Sequence, residues 1–209
     1  MKTQLYKSNT LVILDNGHGI NTPGKRSPIW DDGTQLFEWK FNRNIVNSII
    51  EYLNVAEISY VNLVTEDTDI SLSDRVSRIN ELYSKYKKDF KLIYVISVHG
   101  NAAEGIPKAN GIEVFTSKGL TKSDEIAEIL FNKLSNLGWR MRADFTDKDS
   151  DKEENFYILK NTDCPAVLTE NGFYTNEEEC KKMLDFYWQK QIALGHYRAI
   201  QEIETNSKL

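Results

Sequence analysis

At 209 residues, with 40% apolar and 27% charged side chains, the chain has the bulk for one substantial core. Its 26 basic against 31 acidic residues leave a net charge of -5, and no basic stretch is interleaved with aromatics, which excludes a general nucleic-acid binder. No apolar run approaches the roughly 18 residues of a membrane span, and Cys164 and Cys180 form no CxxC pair, which argues against a disulfide framework or a thiolate zinc site.

The polar stretch Met1 to Thr10 has no signal-peptide pattern. It leads into Leu11-Val12-Ile13-Leu14, a buried strand that Asn16-Gly17 breaks so that His18 sits on a tight turn. Gly17 and Gly19 are expected to leave that imidazole uncrowded and to supply unusual backbone dihedrals. Taken singly, such a His is equally compatible with a structural role.

Residues 20–33 are rich in turn formers and predict a surface loop of functional length. Phe37, Phe41, Ile45, Ile49 and Leu53 then step by four along a helix, with Glu38 in its first turn. A second strand is expected over 58–64, and Ser71 to Asp74 opens a helix running to about Lys87. The apolar run 92–98 reads as a central strand ending on His99. Another strand follows over 111–116, then a helix capped by Ser123 or Asp124.

Asp147, Asp149 and Asp151 have the spacing that opens a calcium loop, but Lys152 stands where the turn glycine belongs and Ile158 where the bidentate Glu belongs, so a solvated loop is expected. Residues 156–159 and 166–169 read as short strands, the second ending on Glu170. Asn176 with Glu179 has the form of a capping box, and an amphipathic helix is expected over about 186–205. His196, on that helix, reads as structural or surface. Trp30 and Trp139 could be ligand platforms or core.

Strands alternating with helices predict an α/β fold, a mostly parallel twisted sheet of about six strands with helices on both faces. The chain reads as one domain over 1–209, its core about 10–205, with no separate wall-binding domain, and as a monomer. Ligands of such sheets bind outside the carboxyl ends of the strands. His18, His99 and Glu170 each fall at such an end, and Glu38 begins the helix after the first strand.

Two imidazoles and one carboxylate with an open fourth position have the stoichiometry of a catalytic Zn2+ site: His18, Glu38 and His99 are the candidate ligands. Amide hydrolysis also needs a proton carrier for the leaving amine, and Glu170 is the candidate. At the end of an apolar strand its carboxyl is partly desolvated, which raises its pKa. The alternative is a solvated strand end.

Residues 13–19, Glu38, Ser97-Val98-His99-Gly100-Asn101-Ala102 and 165–176 together resemble the signature blocks of the zinc-dependent N-acetylmuramoyl-L-alanine amidases of the third amidase family, in the family's order. The resemblance implies that His18, Glu38 and His99 hold zinc, that Glu170 is catalytic, and that the substrate is a peptidoglycan muropeptide. The bond cut would be the amide between the lactyl group of N-acetylmuramic acid and L-alanine. Asn16 and Gly100 depart from the family's usual residues without removing a ligand, and Glu66 replaces a common Arg, whereas Arg75 matches.

The long inhibitory insertion of septal members is not found, which implies an accessible cleft and a role in wall lysis, possible for a phage or prophage endolysin. The chain would be made in the cytoplasm and reach the wall by an unseen route. Two other readings stay open: a zinc peptidase cutting within the stem peptide, and a catalytically inactive wall-binding module.

Overall fold

A computed structural model describes residues 1–106, 108–145 and 149–206. The elements in order are β1 (Lys2–Gln4), β2 (Thr10–Asn16), α1 (Glu38–Ala56), β3 (Ser59–Asn62), α2 (Leu72–Tyr86), β4 (Leu92–Asn101) and β5 (Ile112–Thr116). They continue with α3 (Lys122–Ser135), β6 (Lys152–Glu153), α4 (Tyr157–Asn161), β7 (Ala166–Phe173), α5 (Glu177–Leu184) and α6 (Phe186–Thr205). One sheet of seven strands runs in the order β1-β3-β2-β4-β7-β5-β6.

The expected α/β architecture is present. Its centre, β3-β2-β4-β7, is parallel, while β1 and the β5-β6 pair run against it. Side chains alternate across a strand, so β2 sends Val12 and Leu14 to one face and Leu11 and Ile13 to the other. The first face is covered by α1, α3 and α6 through Ile45, Ile49, Leu130, Ile192 and Ile200. The second is covered by α2 and α4 through Val76, Ile79, Ile158 and Leu159.

Three local expectations need correction. Residues 156–159 are not a strand: Phe156 is the extended cap of the short helix α4, which turns Ile158 and Leu159 onto the sheet. A short apolar run suits either structure by pattern alone, and burial against the sheet decides it here. The cap of α3 is Thr121, in a capping box with Asp124, while Ser123 accepts a hydrogen bond from the Ala166 N–H at the start of β7. Asn176 does cap α5, but the Glu179 carboxylate turns away and accepts from the Gly111 and Phe173 amides.

His196 is structural, as expected. Fully buried on α6, its Nδ1 lies 2.8 Å from the Ile192 carbonyl oxygen, so that nitrogen donates and Nε2 accepts from the Thr169 hydroxyl at 2.9 Å. Burial drives its pKa down to about 4. The folded value lies below the unfolded one of about 6.5, so His196 supports the fold fully above that pH and progressively less as pH falls through 4. Urea unfolding is expected to register about 3 kcal/mol lost from this group between pH 7 and 4. A His196→Gln variant should show a correspondingly flatter acid limb; an unchanged limb contradicts the assignment.

Candidate metal centre

The carboxyl ends of β2, β4 and β7 lie side by side. Register pairs Asp15 with Ser97, Asn16 with Val98, and His99 with Glu170, so His18, His99 and Glu170 line one cleft of about 390 Å³. His99 and Glu170 lie within their strands rather than past them, because β4 runs on to Asn101 through a bulge. Glu38, first residue of α1, rises beneath the cleft and is 1% exposed.

Glu38 joins the two imidazoles. Its Oε1 lies 3.2 Å from His18 Nε2 and 3.1 Å from His99 Nδ1. Burial, the largest influence, would raise this carboxyl, but the hydrogen bonds and charges of the two imidazoles hold it well below the usual range. His18 is pushed down by burial. In His99 burial also works downward, but the Glu38 hydrogen bond and the charges of Glu170, Glu38 and Asp15 outweigh it and raise the pKa.

This trio fits a metal ion on the structure's own terms. One ligand atom from each residue lies within 4.8 Å of the others. Among the described residues the remaining Glu38 oxygen, Oε2, is buried with no hydrogen-bond partner, and Lys25 Nζ stands off at 3.9 Å. Two imidazoles and a carboxylate are the donors of a borderline transition-metal ion such as zinc.

The backbone around His18 is held with unusual thoroughness. His18 has φ 64°, a left-handed conformation uncommon outside glycine. Its carbonyl accepts from Arg43 Nη1 at 3.0 Å and from Arg75 Nη2 at 3.4 Å. Arg75 also donates to the Asn16 carbonyl (2.9 Å), Asp69 (3.0 Å), the Ile70 carbonyl (2.8 Å) and Asp15 (2.5 Å). Asp15 is fully buried, and burial alone would raise its pKa, but Arg75, then His99 and the Ser97 hydroxyl, keep it below the ordinary value.

The glycines serve a purpose other than the one the sequence suggests. His18, not its neighbours, takes the positive φ. Gly17 is required by His99: a Cβ there would lie 2.0 Å from the ring's Cε1. Gly19 lets the turn back onto the Asp69 amide, where a Cβ would lie at 2.0 Å.

Glu170 faces the same cleft. Its Oε2 is shielded from water without a hydrogen-bond partner, and desolvation, with the charges of Glu38 and Glu113 added, raises its pKa to about 8 despite His99. Of the other sequence candidates, Trp139 is core, stacked edge-on against Trp188, and Trp30 packs partly buried on the first cluster. Glu66, which replaces the family's common Arg, pairs with Arg78 at 2.8 Å. The supporting side chains Asp15, Ser97, Arg43 and Asn171 were not singled out as candidates from the sequence. Only Asp15 carries a sequence signal, a charge closing an apolar strand.

Parallel strands that bring two imidazoles, a buried carboxylate and a separate high-pKa carboxyl to one edge have the make-up of a metal-dependent hydrolase. The family profile described as N-acetylmuramoyl-L-alanine amidase matches residues 12–202, and the chain belongs to that family. Among relatives, the N-acetylmuramoyl-L-alanine amidase CwlM of Bacillus licheniformis is 27% identical over 199 residues, covering 94% of this chain and 70% of its own length. The endolysin of Bacillus phage SPP1 is 27% identical over 205 residues, covering 92% of this chain and 65% of its own. The crystal structure of N-acetylmuramoyl-L-alanine amidase from Clostridium difficile 630 superposes with TM-score 0.79 at 27% identity, covering 96% of this chain and 100% of that one.

Two substitutions probe the scaffold. Gly17→Ala should leave the far-UV circular dichroism unchanged yet displace the His99 ring, lowering zinc affinity about tenfold or more by competition with a chromophoric chelator; wild-type affinity contradicts this. Arg75→Met strands the buried Asp15 carboxylate and should cost about 3–5 kcal/mol in urea unfolding, whereas a loss within about 0.5 kcal/mol, as for a surface site, counts against the clamp.

Proposed function

We propose that this chain is a zinc-dependent hydrolase that cleaves the amide between N-acetylmuramic acid and L-alanine in peptidoglycan, in cell-wall lysis or remodelling. The observation that carries the reading is the single Glu38 oxygen shared by His18 and His99 at 3.1–3.2 Å, with the unpartnered Glu170 carboxyl in the same cleft. Family membership and the names of the relatives support it.

His18 Nε2, His99 Nδ1 and the Glu38 carboxylate would hold the zinc. Bound there, zinc supplies Lewis-acid polarisation of the scissile carbonyl and brings the pKa of water toward roughly 7. Glu170 accepts the proton of the attacking water and returns it to the departing L-alanine nitrogen, which leaves as a free amine. A carboxyl with a pKa near the working pH can both take and give a proton. The Glu38 charge helps keep Glu170 protonated, and Glu170 would ionise more readily with that charge offset by a bound cation.

The cleft also has an apolar side, formed by Ile70, Leu72, Phe156 and Leu168, that can exclude water from the reacting amide. Lys25 lines it as well, offering a cation to an anionic group of the muropeptide.

Purified peptidoglycan digested with the zinc-loaded protein should yield, by mass spectrometry, intact lactyl-bearing glycan and peptides with free L-alanine amino termini. Other new termini indicate a peptidase, and no release indicates a binding module. Glu170→Gln should keep a full equivalent of zinc and lose kcat by about 10²–10⁴-fold; a fully active variant removes Glu170 from proton transfer.

A further inference from the structure

Away from the cleft a second group of carboxylates converges. Asp124 comes from the first turn of α3, and Asp149 and Asp151 from the segment that leads into β6. One oxygen from each lies within 4.8 Å of the others. The earlier expectation of a solvated loop fails at Asp151, which is 1% exposed; Asp147 lies outside the described residues.

Acidic side chains can gather for ordinary reasons, and Asp124 has one. It closes the capping box on the Thr121 amide, and its other oxygen is 3.3 Å from the Thr116 hydroxyl. Asp151 has no such account. Its Oδ2 accepts from Thr116 Oγ1 at 2.6 Å, but its Oδ1, shut off from water, has no hydrogen-bond partner. The Thr116 hydroxyl has one proton for two carboxylates, so it cannot satisfy both. Burial, with the charges of Asp149 and Asp124 added, pushes the Asp151 carboxyl up to about 7. Asp151 therefore brings to a group of three carboxylates a buried oxygen with no hydrogen-bond partner among the described residues, a place a cation would satisfy.

We propose that Asp124, Asp149 and Asp151, with the Thr116 hydroxyl, form a second cation site that takes calcium. The donors are all hard oxygens with no imidazole or thiolate, which suits calcium and magnesium and disfavours zinc. Magnesium demands a near-ideal octahedron, whereas calcium accepts irregular shells of 6–8 oxygens completed by water, which suits donors drawn from two chain segments. This is not an EF-hand, because Asp124 comes from a separate helix.

The ion would staple the segment before β6 to the end of β5 and the start of α3. Lys152, next in sequence to Asp151, donates to Glu113 at 2.6 Å, and Glu113 pairs in register with Glu170. The staple therefore anchors the strand that supplies the counter-charge behind the cleft.

The test uses zinc-loaded protein passed through calcium-free buffer and titrated with calcium chloride. Calorimetry should find one equivalent of calcium bound in the submillimolar range typical of extracellular modules, about 10⁻⁴–10⁻³ M. The melting temperature should rise by about 5 °C or more at saturation, and magnesium should bind at least about tenfold more weakly. Asp151→Asn should abolish the calcium-dependent rise while zinc content stays at one equivalent. Asp149→Asn, at a half-exposed position, makes the same test should the first variant fail to fold.

Absence of any heat or melting shift in wild type up to about 10 mM calcium overturns the proposal. So does calcium binding that both variants leave unchanged, or tighter binding of magnesium.

Discussion

A carboxylate with almost no access to water sits at the first position of α1, and the site is built around it. Among the described residues Glu38 has neither a salt bridge to a guanidinium nor a cluster of amides around it. Its Oε1 meets His18, His99 and the Gly100 amide, the last at 3.3 Å, while Oε2 has no hydrogen-bond partner among the described residues and Lys25 Nζ stands 3.9 Å from it. Desolvating a charge this fully is unfavourable unless a compensating charge is present. Two imidazoles, one of them held below its ordinary pKa, supply that compensation incompletely. A divalent cation supplies it in full, which makes the burial of Glu38 intelligible as part of a binding site and hard to explain as part of a core.

Around Glu38 the scaffold fixes the two imidazoles by different means. His99 is set by a strand register, Gly17 leaving room for its ring and Asn171 donating to its carbonyl at 3.0 Å. His18 is set by a turn, and the turn is held through carbonyls: Arg75 and Arg43 both reach the His18 oxygen, and Asn42 reaches the Gly17 oxygen at 3.1 Å. Arg75 is itself fixed by buried Asp15, so the clamp is an ion pair inside the sheet that reaches outward to the backbone of His18. Rigid second partners of this kind are what hold metal ligands in a productive geometry.

The layout was legible where periodicity was strong. The apolar runs of β2 and β4, the four-residue step of α1 and the Ser71 cap of α2 each carry a local pattern that burial then uses, and those elements deliver His18, Glu38 and His99 to one place. The residues around Phe156 were illegible because three apolar side chains fit a strand or a helix equally well. The reason for Gly17 was hidden because its constraint comes from His99, 82 positions away in the chain. Asp151 looked solvated because the partners that bury it, Thr116 and Asp124, lie on elements the local spacing cannot see.

Glu170 shows how one carboxyl among several is left available for chemistry. Glu113 faces it across the β5-β7 register and would be a second unpaired acid, yet Arg142 and Lys152 each approach its Oε1 at 2.6 Å and Asn101 its Oε2 at 2.6 Å. Asp15 is bound by Arg75 and Ser97, and Glu38 by the imidazoles. These neighbours are held in place by their partners, and Asp15 and Glu38 are kept below the usual carboxylate range by theirs. Glu170 differs: its Oε2 has no hydrogen-bond partner among the described residues, and burial raises this carboxyl to about 8. A carboxyl that breaks no fixed pairing when it changes protonation state is suited to proton transfer, and the pairing of its neighbours is what sets Glu170 apart.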